Sequence, residues 1–184
     1  MQTESLNLVD STGASIARTG DLQEQLKVRG HYDIVCVGAD GKVKWTDEIE
    51  NLVVTVGKND LLTKYFTGAS YTAAWYMGLV DGGTTPTYAA SDTLASHAGW
   101  TENTSYSGVN RITVGFNAAS AGSISSTSTT FSMSGTATIA GALMCQTQTR
   151  ALTTGILYSA GNFTGGNRSV VSGDSLLVTF TASV

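Results

Sequence analysis

The stretch SDTLASHAGWTE, residues 91–102, places Asp92, Ser96 and His97 within six consecutive positions. Aspartate, serine and histidine are the groups of a hydrolytic triad, in which the imidazole takes the serine proton and the carboxylate orients the imidazole. Triad members are usually carried to one point by distant parts of a chain, and a hydrolase serine usually sits on a tight strand-to-helix turn such as GxSxG. Here Ser96 and His97 are neighbours, which makes the required Oγ–Nε2 approach awkward. No GxSxG is present, and the one other histidine is His31. A local reading accounts for more of the stretch. Asp92 caps a single helical turn over DTLASH, Ala98-Gly99 ends it, and Trp100 anchors the loop to the core. We assign no catalytic residue here and expect a protein that is not an enzyme.

Other chemistries fare no better. Asp47, Glu48 and Glu50 crowd one region, but neighbouring strand residues face opposite sides of a sheet, and the acidic positions do not follow the DxDxDG spacing of a calcium loop. Cys36 and Cys145 are the only cysteines, each inside an apolar run, and read as two buried thiols rather than a disulfide. Without a CxxC or a Cys/His cluster there is no structural zinc site, so no metal and no cofactor is expected. Gly57-Lys58 superficially resembles the end of a phosphate-binding loop, yet the preceding NLVVTV holds no glycine. GNFTGG, residues 161–166, lacks GxGxxG spacing and leads into a strand instead of a helix. Asn162 begins a formal glycosylation sequon, NFT, which matters only in a secretory pathway. Trp75, Tyr76 and Trp100 could stack on a sugar, but Trp75 and Tyr76 face opposite ways on one strand, so at least one belongs to the core.

The elements that would position these residues are mostly strands. His31–Val37 is apolar and β-branched, Ala39-Asp40-Gly41 is a turn, and Val43 and Trp45 alternate with Lys42, Lys44 and Thr46, which together make a hairpin. Residues 51–56 form a further strand. One short helix is expected over about 58–67, with Asn59 or Asp60 as its cap, Leu61, Leu62, Tyr65 and Phe66 on one stripe, and Gly68 as its stop. It should plug one end of the core. Strands follow at 73–80, 109–116, 131–134, 137–145, 156–160 and 175–182. Seven to nine short strands with one helix point to a mainly β domain, a β-sandwich or jelly roll.

Composition supports this and narrows the partners. The chain has 184 residues, enough for one domain with an arm, and only 13% are charged against a usual share of about a quarter. Threonine (27) and serine (20) take their place, a hydroxyl-rich surface common in extracellular and virion β-proteins. A net charge of −4 with no basic run argues against nucleic acid as a partner. No apolar stretch reaches the ~18 residues of a membrane helix, and no secretory signal segment is visible. Charge is concentrated early: residues 1–65 hold 7 of the 10 basic and 10 of the 14 acidic side chains. We therefore divide the chain into a polar N-terminal arm or peripheral segment, residues 1–30, and a single β-rich domain, residues 31–184.

Several segments together carry a resemblance. HYDIVCVGADGKVKWTDEIENLVVTVGKNDLLTKYF, YTAAWYMGLV, SDTLASHAGWTE, YSGVNR and LYSAGNFTGGNRSVVSGDSLLVTFTASV, spread over residues 31–184, resemble a group of small virion structural proteins of tailed bacteriophages. The resemblance implies a β-rich particle component without catalytic residues, a capsid decoration or cement protein. It would bind the major capsid protein on the outer shell and self-associate as a homotrimer or homodimer. Proteins of this look also occur in tails, and the alternative is a tail or fibre module that binds host-surface glycan. The arm, residues 1–30, lies outside the resemblance. Its expected role, ordering on docking across a subunit boundary, comes from its polarity.

Overall fold

The computed structural model describes residues 27–68 and 73–184. Most of the expected arm lies outside the described residues. The arm boundary also moves: the first strand, β1, runs Arg29–Val37, so residues 29 and 30 belong to the sheet.

The described chain is mainly β, and its strands join in one 11-stranded antiparallel network with a sandwich-like core. β1 and β2 (Val43–Val53) form the expected hairpin. In its turn the Gly38 N–H donates to Lys42 O, and the Asp40 carboxylate accepts from the Lys42 N–H. β2 is longer than its sequence suggests, because the charged residues 47–50 do not break it. Its first part pairs with β1, and its last residues, Leu52 and Val53, pair with Ala160 and Ser159 of β9 (Leu157–Asn162). β2 thus links two halves. One half holds β1, β11 (Ser175–Ser183), β6 (Ser123–Ser125) and β7 (Thr129–Ser132). The other holds β9, β8 (Ala137–Cys145), β3 (Tyr76–Asp81), β10 (Arg168–Val170), β4 (Glu102–Asn103) and β5 (Ile112–Thr113). The count exceeds the expected nine because β4, β6 and β10 are unexpected pieces of two or three residues within loops.

The two halves meet through a shared apolar core. Tyr32, Ile34 and Phe180 come from one side, and Met77, Met144 and Tyr158 from the other. The Tyr32 hydroxyl and Ser159 Oγ, 2.9 Å apart and buried, tie the halves together. β11 alternates as its sequence requires, burying Leu176, Val178 and Phe180 and leaving Leu177, Thr179 and Thr181 half-buried. β3 and β8 do not alternate, because both of their faces are covered. Val80, Ala140, Leu143 and Cys145 face a second apolar cluster, completed by Val54, Leu94 and Trp100. Cys36 and Cys145 are free and buried, as their apolar surroundings imply.

Three elements depart from expectation, and the first is the separate strand over residues 51–56, which is instead the end of β2 followed by the start of the helix. The stretch 109–116 is a strand only at Ile112–Thr113, with isolated bridges at Asn110 and Phe116. Its simple alternation fails because Arg111 turns inward to meet Glu102 and is buried alongside Val114. The helix α1 spans Thr55–Thr67, starting three residues early. Neither Asn59 nor Asp60 caps it. Val54 is its N-cap without a side-chain hydrogen bond, the Thr55 N–H donates to Ala90 O, and Asp60 accepts instead from Gln146 Nε2 at 2.8 Å. Gly68 closes it in the left-handed conformation, as expected. Nor does α1 plug the core. Its sole buried residue is Gly57, and Leu61, Leu62, Tyr65 and Phe66 are exposed. The reason is the docking point: a Cβ at Gly57 would stand 2.6 Å from Tyr158 O, so only glycine lets the first turn lie this close to β9. The apolar stripe further along the helix is left exposed. No helix among the described residues is long and apolar enough to cross a membrane.

Candidate functional site

The 82–101 segment forms no helix. It runs as turns and bends over the second face of β3, β8 and β9, where Leu94 and Trp100 enter the second apolar cluster. Asp92 is therefore not the cap of a helical turn. Its buried Oδ2 accepts two hydrogen bonds, from Trp100 Nε1 at 3.0 Å and from the Ala89 N–H at 3.1 Å. His97 stacks on the Trp100 indole with ring centroids 3.9 Å apart, and its Nδ1 lies 3.0 Å from Trp100 O. A carbonyl can only accept, so Nδ1 carries a proton. Ser96 is exposed, and its N–H meets Thr93 Oγ1. Asp92 and His97 are thus both committed to Trp100, on different atoms. Among the described residues no hydrogen bond joins Asp92 to His97 or His97 to the Ser96 hydroxyl. Trp100 does anchor the loop.

Asp47, Glu48 and Glu50 divide by strand parity, as their spacing implies. Asp47 faces the 163–168 turn and accepts from Arg168 Nε at 2.7 Å, the Gly165 N–H at 3.0 Å and Thr164 Oγ1 at 3.2 Å. Burial alone would raise its pKa, but the hydrogen bonds from the Gly165 and Glu48 N–H groups and the Arg168 guanidinium hold it below the usual carboxylate range. The glycine-rich GNFTGG stretch does wrap an anion, and the anion is the protein's own Asp47. Asn162 of the sequon accepts from the Tyr88 hydroxyl at 2.7 Å and donates to Pro86 O.

Glu48 and Glu50 face the other way, toward His31. The β1–β2 register sets His31 opposite Glu50 and Asp33 opposite Glu48. His31 Nδ1 lies 3.0 Å from Glu50 Oε1, and Nε2 lies 3.3 Å from Asp33 Oδ1 and 4.0 Å from Glu48 Oε2. Partial burial works against the imidazolium, but hydrogen bonds to Asp33 and Glu50, and their charges, outweigh it and raise the His31 pKa. No group of three or more His, Cys, Asp or Glu side chains among the described residues is arranged to hold a metal ion.

Two features have no counterpart in the sequence reading. One is a buried ion pair. Arg111 Nε and one terminal nitrogen meet the two Glu102 oxygens at 2.9 and 2.8 Å, with side chains 2% and 8% exposed. Arg111 also donates to Thr147 O, and Glu102 accepts from the Ala151 N–H, so each nitrogen and oxygen of the two charged groups has a partner. It forms part of the wall of a pocket of about 290 Å³ that His97 and Trp100 share. The other is an open apolar groove of about 690 Å³, bounded by α1 on one side and the end of β11 on the other. Trp75 lines it and packs edge-on against Tyr158 at 5.4 Å, whereas Tyr76 faces the second cluster. Leu61 and Tyr65 of the exposed α1 stripe line this groove, and the apolar spacing of that stripe was its one signal in the sequence.

Comparison with protein-family models, curated proteins and solved structures finds no match for this chain.

Proposed function

We propose that the chain is a non-enzymatic structural component of a tailed-phage virion, a capsid decoration or cement protein that binds the major capsid protein and stabilises the outer shell. The observation that carries this reading, beside the resemblance over residues 31–184, is the exposed apolar stripe of α1. Tyr65 and Phe66 stand 78% and 73% exposed, the two most exposed aromatic side chains among the described residues. Large aromatics left in water next to an apolar groove suit a protein–protein surface. Residues that could have served catalysis, Asp92 and His97, instead hold a loop over the core. A cement protein needs stiffness and area more than reactive groups, and the cross-linked double-sided sheet provides the stiffness.

Recognition of host glycan by a tail or fibre module fits the same surface less well. Trp100 is buried, and the groove beside Trp75 offers almost no polar groups with which to orient a sugar. The deciding experiment is electron microscopy and adsorption assays on virions assembled without this protein. Fragile heads with normal adsorption, restored by adding the purified chain, are the expected result. Intact heads that fail to attach to the host would overturn the cement reading in favour of the tail.

A further inference from the structure

The exposed stripe of α1 is bordered by charge. Lys58 stands beside Leu61 and Leu62, and with Lys27 and Arg29, at the entry to β1, they line a pocket of about 390 Å³. That pocket shares Val28 and Leu61 with the apolar groove, so the two adjoin. Of the ten basic residues, Arg18 lies outside the described residues and nine are described. Lys42, Lys44, Arg111 and Arg168 pair with carboxylates, Arg150 donates to backbone carbonyls, and Lys64 is engaged as well. The other three are Lys27, Arg29 and Lys58, each exposed and without a hydrogen bond or ion pair among the described residues. The one carboxylate on α1, Asp60, is turned to Gln146. Every unpaired cation among the described residues thus borders the same apolar surface.

That juxtaposition selects a partner. A protein that covers Leu61 and Leu62 takes water away from three cationic groups, and without carboxylates of its own it strands them at a cost. We propose that this face takes an acidic, apolar peptide segment of a protein partner. Its apolar side chains pack against Leu61, Leu62 and Tyr65, and its carboxylates sit at Lys27, Arg29 and Lys58. Because the chain carries a net charge of −4, this basic patch gives an acidic partner local attraction and so orients its approach. A second copy is a poorer occupant. A two-fold contact through this face sets the three cations against their own images, and the acidic side chains Asp33, Glu48 and Glu50 are already engaged with His31. The inference rests on the proposed virion role for the partner's identity, the major capsid protein, and not for the partner's chemistry.

The test uses the full chain in two arms. In the first, phage shells lacking this protein are mixed with the purified chain and pelleted. Arg29→Glu with Lys58→Glu should weaken binding about tenfold, and Tyr65→Ser with Phe66→Ser about thirtyfold, each with an unchanged circular dichroism spectrum. Lys42→Glu, a charge reversal at the exposed β1–β2 turn, should bind like the parent. Patch variants that pellet as well as the parent would overturn this inference and leave the cement reading standing. A parent chain that does not pellet at all sinks the cement reading, and the second arm then decides alone. There, a short synthetic peptide alternating leucine and glutamate is titrated into the labelled chain and followed by amide NMR. Shifts confined to residues 27–29 and 58–66, lost in Arg29→Glu with Lys58→Glu and absent with a leucine–lysine peptide, are the expected result. No shifts, equal shifts with the lysine peptide or with phosphatidylglycerol vesicles, or a dimer of the chain alone that the same double variant dissociates would each overturn the proposal.

Discussion

Trp100 donates its indole N–H to the Asp92 carboxylate across 3.0 Å, and both side chains are buried beneath the 82–101 loop. The residues that look most like chemistry in the sequence therefore serve packing: Asp92 satisfies the one polar atom of a large core side chain, and His97 covers that side chain's face. Asp92→Ala should leave the Trp100 and Ala89 N–H groups without their acceptor and destabilise the fold by about 1–3 kcal/mol. Ser96→Ala, at an exposed hydroxyl with no hydrogen-bond partner among the described residues, should stay within about 0.5 kcal/mol of the parent. Urea denaturation of the two variants tests the packing role. Equal stabilities would contradict the assignment.

The Arg111–Glu102 pair makes a sharper demand. Both groups are out of water, so removing one strands the other. Arg111→Met should cost about 3–5 kcal/mol, whereas the double variant Arg111→Met, Glu102→Leu should recover about 2 kcal/mol or more of that loss. A double-mutant cycle by chemical denaturation measures the coupling, and simple additivity would show that the pair does not act as a unit.

How much of this was legible in the sequence follows from which interactions are local. The hairpin of β1 and β2, the alternation of β11, the buried thiols and the stop at Gly68 rest on turn chemistry and short-range periodicity, and the sequence states them directly. The parity split of Asp47 from Glu48 and Glu50 was readable for the same reason. Their partners were not, because Arg168 lies 121 positions from Asp47 and the His31–Glu50 contact depends on strand register. The burial of Arg111 was not legible, because a charged residue in a period-two run reads as solvent-facing, and only its pairing with Glu102 draws it inward. The single helical turn over DTLASH failed for a related reason: Leu94 and Trp100 gain more by covering β3 and β8 than six residues gain from one isolated turn.

Gly57 sets where α1 sits. Gly57→Ala should drive a methyl into the Tyr158 carbonyl, 2.6 Å from the ideal Cβ position, and the helix must lift off β9 to relieve it. The expected cost is about 1–3 kcal/mol, even though alanine favours helix by about 1 kcal/mol. Hydrogen exchange should quicken in α1 before the sheet. A stabilised variant would mean that the first turn has room to spare.

His31 gives the fold a pH response with a definite sign. Hydrogen bonds and charges from Asp33 and Glu50 raise its pKa above the ordinary value of 6.5. A group whose pKa is higher in the folded state binds its proton more tightly there. Its stabilising contribution is therefore fully present below the unfolded value near 6.5, provided the carboxylates are ionised, and is lost as pH rises through the raised folded value. Histidine NMR of the full chain should show the His31 ring titrating above 6.5, and His31→Gln should remove the part of the stability that declines between neutral and mildly alkaline pH. Asp33→Asn with Glu50→Gln should bring the His31 titration down, because burial then acts without its opponents. A midpoint unmoved by that double substitution would show that the carboxylates do not hold the proton.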